Sequence, residues 1–544
     1  MRKNIDPASG SGHILVYAFD LLAAMYEESG YSNRDAARLI LEKNLTGLEI
    51  DPRAAAMASF ALTMKACELD SRFLRRGVHP RITVLERVEF IEAELELCPE
   101  LTGQAKMLDA IAHLDECGSL LQVGQDFLDM LARALASLAE ADSLFADAAR
   151  DKLKRLQSEL EPLTARYDVV VANPPYMGAK NMNKWLGDWV KHNYPDVKGD
   201  LFSCFMVRNS EMGNDHAQMG FMTPYVWMFI STYEKLRKFV SEKNTITSLI
   251  QLDYSGFSGA TVPICTFTLQ KGYLEGYKGG YIRLSDFVGA EQQAPRALEA
   301  LANPECGWLY KRAAAAYFSI PGSPIAYWAS NAVIKAFGNP PLGDVIPVKK
   351  GLDTGDNDKY LRLWHEPSFL TLGIGYKDAE EFHSAHARWA PHDKGGEFRR
   401  WYGNKDWVID WAHNGSSLRA SSANLRSEQY YFHNAITWCS LSSGLCSFRL
   451  SDYGAISNTA GSSMYPATNG VLYLGLMNSS VVQHLFSFLA PTLNYSAGPV
   501  GLIPKAAWRK QNQICDLVEK AIELTKVDWD SFEESWDFKK HPLL

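Results

Sequence analysis

The chain has 544 residues, 47% of them hydrophobic, and a formal net charge of -8, enough apolar material for roughly two to four domains at ~150 residues each. The acidic balance speaks against a protein that coats DNA nonspecifically, while leaving room for a local basic cleft. There is no run of ~18 uncharged apolar residues, no charged-then-apolar leader and no C-x-x-C pair among the nine cysteines; a cytoplasmic protein with reduced thiols, no membrane segment and no zinc site is expected.

The first candidate element is a short strand over Arg2 to Ile5, followed by the turn Asp6-Pro-Ala-Ser-Gly-Ser-Gly-His13 and an apolar-periodic helix from Ile14 to Tyr26. Gly10 and Gly12 permit a tight strand-to-helix turn whose backbone N–H groups approach a ligand closely. One helix later comes a second acidic strand end, Leu45-Thr-Gly-Leu-Glu-Ile-Asp-Pro52. This is the spacing of a nucleoside-binding βαβ unit, in which Glu49 bonds the ribose hydroxyls. Asp51 suits the N-cap of the following helix, Arg53 to Leu69. Residues 70 to 166 are charged and rich in alanine and leucine, as in Leu128 to Leu160, a pattern that predicts an inserted helical pair. His113 and Cys117 lie four apart there, but with no second pair nearby they read as ordinary helix residues rather than metal ligands.

The next stretch, Tyr167-Asp-Val-Val-Val-Ala-Asn-Pro-Pro-Tyr176, dominates the reading. Its β-branched first half predicts a buried strand of a parallel sheet. Pro174 and Pro175 cannot donate ladder hydrogen bonds, so the strand stops and displays Asn173 and Tyr176 at its carboxyl edge, where open α/β sheets bind ligands. The Asn173 side-chain oxygen and the Pro174 carbonyl can both accept from an amino-bearing heterocycle, on which the Tyr176 ring can stack. Taken alone, these residues equally describe a strand end followed by a polyproline turn. Beyond them come Gly199 to Phe205, Gly220 to Tyr225, an amphipathic helix over Thr232 to Glu242, a strand at Leu249 to Leu252, a turn at Ser255 to Ala260 holding Phe257, and a returning strand from Pro263 to Gln270.

From Gly272 to Pro340 the sequence reads as a connector. The segment Pro341 to Tyr360 then brings an acidic cluster, Asp353, Asp356 and Asp358; a calcium loop is rejected because position five counted from Asp356 is Tyr360 and the glycine is misplaced. Here Lys349, Lys350, Lys359 and Arg362 suit phosphates, and Thr354 and Asn357 suit phosphates or base edges. Further on, Arg399, Arg400, Trp401, Tyr402, Lys405 and Trp407 interleave basic and aromatic residues, which fits either backbone neutralisation with stacking or a solvated loop with tucked-in rings. His383, His386 and His392 read as loop histidines. Gly470 to Ser480 and a helix follow, and the residues after about 512 form a charged helical tail.

In this order the glycine turn, the acidic strand end and the Asn-Pro-Pro-Tyr run resemble motifs I, II and IV of S-adenosylmethionine-dependent DNA adenine-N6 methyltransferases. Together with the helical insertion and the Thr354-Gly-Asp-Asn-Asp358 segment, they resemble the adenine methyltransferase of bacteriophage-exclusion (BREX) and phage-growth-limitation systems, from residue 6 to about 510. The resemblance implies an α/β Rossmann-like methyltransferase sheet with a helical insertion plus a mixed α/β target-recognition domain. The implied layout is a catalytic domain over 1–275 with its insertion at about 90–166, a connector over 276–340, a recognition domain over 341–512 and a tail over 513–544.

The same resemblance implies S-adenosylmethionine as cofactor, held by Asp6, Ala8, Gly10, Gly12, Glu49 and a motif III acid, for which Asp115 is preferred to Asp126. Asn173, Pro174, Pro175 and Tyr176 would receive a flipped adenine, with Phe257 as the motif VIII aromatic opposite the tyrosine. No metal is implied. Double-stranded DNA is the implied partner, met by Lys349, Lys350, Thr354, Asn357 and Lys359. Members of this family carry a long N-terminal region with a motif X helix, whereas this chain begins five residues before its glycine turn. A truncated or split product is therefore expected, with a separately encoded N-terminal region or other phage-defence subunits as partners. Two rival readings are a catalytically incompetent binding subunit and a fragment of a fused type IIG restriction-modification enzyme.

Overall fold

The computed structural model describes residues 2–139, 143–254, 256, 262–442, 444–452, 454–490 and 494–544. Two compact units make up the chain, Met1–Ala316 and Tyr317–Leu544.

The first unit is built on nine strands among the described residues: β1 (Asn4–Asp6), β2 (Leu45–Glu49), β3 (Ile82–Val84), β4 (Tyr167–Ala172), β5 (Gly213–Pro224), β6 (Asn244–Gln251), β7 (Ile264–Lys271), β8 (Lys278–Arg283) and β9 (Leu309–Ala313). Their spatial order is β3-β2-β1-β4-β5-β7-β6-β8-β9. The strands from β3 to β5 run parallel, and β7 enters antiparallel between β5 and β6. Because β1 and β4 are adjacent, the glycine turn and the Asn-Pro-Pro-Tyr run leave the sheet side by side at its carboxyl edge.

Between β3 and β4 lies the helical insertion, whose longest helix, Leu144–Thr164, is capped by the Ser143 side chain accepting from the Ala146 N–H. It buries Ala146, Ala149, Leu153, Leu156, Leu160 and Leu163, the i, i+3, i+4 stripe of an amphipathic helix. The sheet does not end near residue 275 as the sequence suggested. Strands β8 and β9 continue it, β8 parallel to β6 and β9 antiparallel to β8, because an edge as long as β6 is better paired than left to solvent.

The second unit holds two four-stranded sheets among its described residues. Strands β10 (Val348–Lys349), β14 (Ala435–Trp438), β15 (Phe448–Ser451) and β17 (Ser463–Met464) form one; β11 (Leu361–Leu363), β12 (Trp389–Asp393), β13 (Trp407–Asp410) and β16 (Ile456–Ser457) form the other. The expected tail is part of this body. Helix Gln511–Trp529 buries Val518 and Trp529, and Gly475 gives it room, since a Cβ there would lie 2.8 Å from a Val518 methyl.

The interleaved basic and aromatic segment also departs from expectation, because two of its charges, Lys405 and Arg399, are engaged inside the unit. Lys405 is 6% exposed and pairs with Asp452 at 3.3 Å, Tyr402 is buried, and Arg399 pairs with Asp528 at 3.3 Å while lying over the Trp529 ring. His392 is no loop residue: it sits buried on β12, within 3.1 Å of the Asn458 amide, and desolvation pushes its pKa down to about 3, so it stays neutral.

Candidate active site

A cleft of about 550 Å³ opens at the carboxyl edge of the first sheet, lined among others by Pro7, Ala8, Gly10, Glu49, Asp115, Asn173 and Pro175. Stretches far apart in the sequence meet there, held by contacts that sequence alone does not reveal.

The glycine turn runs from β1 into helix His13–Glu28, with φ +53° at Gly10 and +86° at Gly12, values that favour residues without a Cβ. Gly10 faces the cleft. Gly12 serves packing rather than ligand approach, because a Cβ there would lie 2.8 Å from the Ala58 Cβ on helix Pro52–Leu69. Glu49 at the end of β2 pins the turn: its carboxylate accepts from the Gly10 N–H at 2.7 Å and from the Ile50 and Asp51 N–H groups at 3.0 Å. Those bonds use part of its four lone-pair sites and leave others for hydroxyl donors. Asp51 caps the next helix by accepting from the Arg53 N–H, as expected.

Asp6 lies beneath this turn, 1% exposed, with Oδ1 accepting from the Ala8 N–H and Oδ2 without a hydrogen-bond partner. Burial, aided by the nearby Glu49 charge, raises its pKa to about 7. Of the two candidate motif III acids, Asp115 lines the cleft, ion-paired with Arg87 at 2.7 Å while its Oδ1 is buried and unpartnered. Asp126 starts helix Gln125–Ser137 and is exposed, outside the cleft lining. Asp115 thus brings one buried, unpartnered carboxylate oxygen to the cleft wall, and Asp6, which is not in the lining, holds a second beneath the glycine turn; native structures rarely leave such atoms so without a reason.

At the end of β4, Pro174 is buried while Asn173, Pro175 and Tyr176 are exposed. The Tyr176 hydroxyl lies 3.0 Å from Asn173 Oδ1 and 3.1 Å from the Met222 carbonyl oxygen. Burial of the phenol pushes its pKa up to about 12, so it keeps its single proton and shares it between the two acceptors. The loop beyond is latched to helix Leu201–Met212. Asp200, the N-cap of that helix, accepts from the Met177 N–H at 2.9 Å, and the Met177 carbonyl accepts from the Leu201 N–H at 3.1 Å. From the same helix Phe202 meets Tyr176 edge-on, with ring centroids 6.4 Å apart.

Other site-building residues escaped the sequence reading because their partners are distant in the chain. Ser119 donates to the Pro7 carbonyl at 2.5 Å, tying the insertion to the glycine turn. Arg208, buried, donates to the carbonyls of Ser119, Leu121 and Leu163. His113 stacks on Trp185 at 4.0 Å, and Cys117 lines the cleft with its thiol pushed up to about 12 by burial, so the two are engaged separately. Phe257 lies outside the described residues.

In the second unit, Lys350, Asn357 and Lys359 are exposed and Lys349 is half-buried. Thr354 does not fit its expected role: it is 2% exposed, and its hydroxyl donates to Asn357 Oδ1 at 2.5 Å, so it shapes the loop from inside. No helix of the described residues is long and apolar enough to cross a membrane.

Residues 43–257 match the Eco57I restriction-modification methylase family. The full chain resembles a solved nuclease-deletion mutant of the type ISP restriction-modification enzyme LlaGI in complex with a DNA substrate mimic, with a TM-score of 0.54 and 12% identity over 96% of this chain and 44% of that one. The type IIL enzyme MmeI in complex with DNA gives a TM-score of 0.52 at 12% identity, covering 99% of this chain and 66% of that one. Both likenesses are of fold. The sequence is 33% identical to the adenine-specific methyltransferase PglX of Lacticaseibacillus casei over 99% of this chain, and 35% identical to the adenine-specific methyltransferase BrxX of Escherichia coli over 100% of it, in each case spanning 47% of the relative. The chain is thus similar along nearly all of its length to the adenine-specific methyltransferases PglX and BrxX, and spans about half the length of those relatives.

Proposed function

We propose that the first unit transfers a methyl group from S-adenosylmethionine to N6 of an adenine flipped out of DNA, as part of a phage-defence or restriction-modification system, and that the second unit reads the DNA site. One observation carries this reading: the glycine turn, Glu49, the unpartnered Asp115 oxygen and Asn173 line a single cleft.

The donor set suits that cofactor. Glu49 has lone pairs left for ribose hydroxyls, the Gly10 turn admits close backbone approach, and Asp115 Oδ1, buried without a partner, has the lone pairs an adenine amine would need. Bound there, S-adenosylmethionine supplies an electrophilic methyl group. Asn173 Oδ1 and the Pro174 carbonyl accept the two N6 hydrogens of the target base, which turns the amine lone pair toward that methyl group. Tyr176 stacks on the base. Its hydroxyl surrenders Asn173 without losing a partner, because the Met222 carbonyl already shares its proton. Chemistry then rests on alignment of amine and methyl carbon, with no covalent enzyme intermediate.

The test is Asn173→Ala in the full chain. Methyl transfer to DNA drops at least ~100-fold, while cofactor binding measured by calorimetry and the unfolding midpoint stay as in the parent. Near-parental transfer by this variant would overturn the mechanism.

A further inference from the structure

The second unit contains a cavity of about 700 Å³ that the reading above leaves without a role. Its back wall is aromatic: Tyr430 and Tyr465 stack with centroids 4.7 Å apart and planes 19° from parallel. Tyr465 is 8% exposed and fixed from two sides, its hydroxyl 3.0 Å from the Ser457 hydroxyl and its N–H donating to the Pro347 carbonyl at 3.0 Å. Tyr430, only half-buried, is the outer ring of the pair.

Around this shelf stand groups suited to the edge of a heterocycle. His433 Nδ1 lies 3.0 Å from the Tyr431 carbonyl oxygen, which can only accept; Nδ1 therefore carries a proton, and in the neutral ring Nε2 is left as an acceptor. The Asp452 carboxylate, held by buried Lys405, is a second acceptor, and Gln429 and Asn434 offer both donor and acceptor. A carboxylate in the lining disfavours a phosphate inside the cavity, while exposed Lys377 stands at the same opening.

The loop carrying these groups is held at some cost. Ser427 and Phe432 both adopt left-handed backbone angles, φ +59° and +65°, an outlying conformation for a bulky residue such as Phe432. Phe432 is nevertheless fixed, buried and with its N–H donating to the Ala455 carbonyl. Ser427 donates to the carbonyl of Lys350, which ties the loop to the exposed lysine edge.

We propose that this cavity is a nucleobase site, in which an unstacked base extends the Tyr465–Tyr430 stack and presents an amino group to Asp452 and His433. Adenine, cytosine and guanine bear such an amino group and thymine does not, so the first three are favoured. Two sources share this chemistry, an unpaired base in DNA and a free nucleotide. The first rests on the reading of the second unit as the DNA-facing half; the second does not.

The test uses the full chain with four probes: a fully paired duplex, the same duplex with one unpaired adenine, the same duplex with one unpaired thymine, and adenosine monophosphate. Kd is measured by anisotropy for the duplexes and by equilibrium dialysis for the nucleotide. Tighter binding of the adenine-bulged duplex than of the paired one, lost roughly 5- to 100-fold in Tyr430→Ala and kept in Tyr430→Phe, supports the site with DNA as source. Nucleotide binding lost in Tyr430→Ala, without duplex binding by the parent chain, supports the site with a free nucleotide as source and sets aside the DNA-facing reading. Affinities for all four probes that are unchanged in Tyr430→Ala, or lost equally in Tyr430→Phe, overturn the proposal.

Discussion

The cleft of the first unit leaves open the kind of polar group that pairs such as Lys405–Asp452 in the second unit have already engaged. In the first, Asp115 Oδ1 in the cleft wall and Asp6 Oδ2 beneath the glycine turn are buried without donors, and Asn173 Oδ1 is met by a hydroxyl that has another acceptor at hand. In the second, the residues that look most like nucleic-acid contacts by composition are already engaged: Lys405 by Asp452, Arg399 by Asp528, Thr354 by Asn357. Residue type announces chemistry only where the fold leaves that chemistry unspent. A lysine in an aromatic-rich segment is a phosphate contact if its ammonium reaches water and a structural strut if it does not.

Substitutions sharpen or break this contrast. The largest effect is expected for Arg208→Ala, which strands three buried carbonyls beneath the cleft; urea unfolding should show about 4 kcal/mol of lost stability. Lys405→Ala should cost about 3 kcal/mol in the same experiment, and the DNA affinity of the chain that remains folded should be unchanged. A loss of affinity without loss of stability would make Lys405 a DNA contact after all and collapse the comparison.

Next in size is Asp200→Ala, which unlatches Met177 from the helix that positions Tyr176. Here kcat should fall roughly 10- to 100-fold with little change in cofactor KM, and Asp200→Asn, which retains an acceptor oxygen, should recover most of it. Asp6→Asn tests the buried acid. Its carboxyl is raised from the ordinary 3.8 to about 7 in the folded protein, so the stability it contributes is fully present below about pH 4 and is lost as pH rises to about 7. That component of the stability–pH profile should vanish in the variant. The smallest effects belong to Lys350→Ala and Lys359→Ala, each expected to flatten the salt dependence of DNA binding by about 1 in log–log slope.

Much of the first unit was legible because its signals are local. A β-branched run halted by two prolines, a glycine turn and an acidic strand end each carry their meaning within a few residues, and parallel-sheet topology brings such strand ends together. What holds them in register was not legible. Ser119 reaches back to Pro7, Arg208 to Leu121 and Asp200 to Met177, and a serine, arginine or aspartate on its own gives no sign of a partner so far away. The second unit read less well for a related reason. Its strands are short, and burial of Thr354, Lys405 and His392 depends on packing between segments whose hydrophobic periods are too brief to reveal it.

The pairing of β6 with β8 bears on how this protein can be divided. A chain cut near residue 275, where the sequence suggested a boundary, would strip β8 and β9 away and leave one edge of β6 with a row of unsatisfied N–H and C=O groups. Such an edge recruits strands from neighbouring molecules, so that fragment would be lost to aggregation, and its silence in an assay would say nothing about catalysis. A cut after Ala316 keeps β8 and β9 on the sheet and leaves the short β9 at its edge.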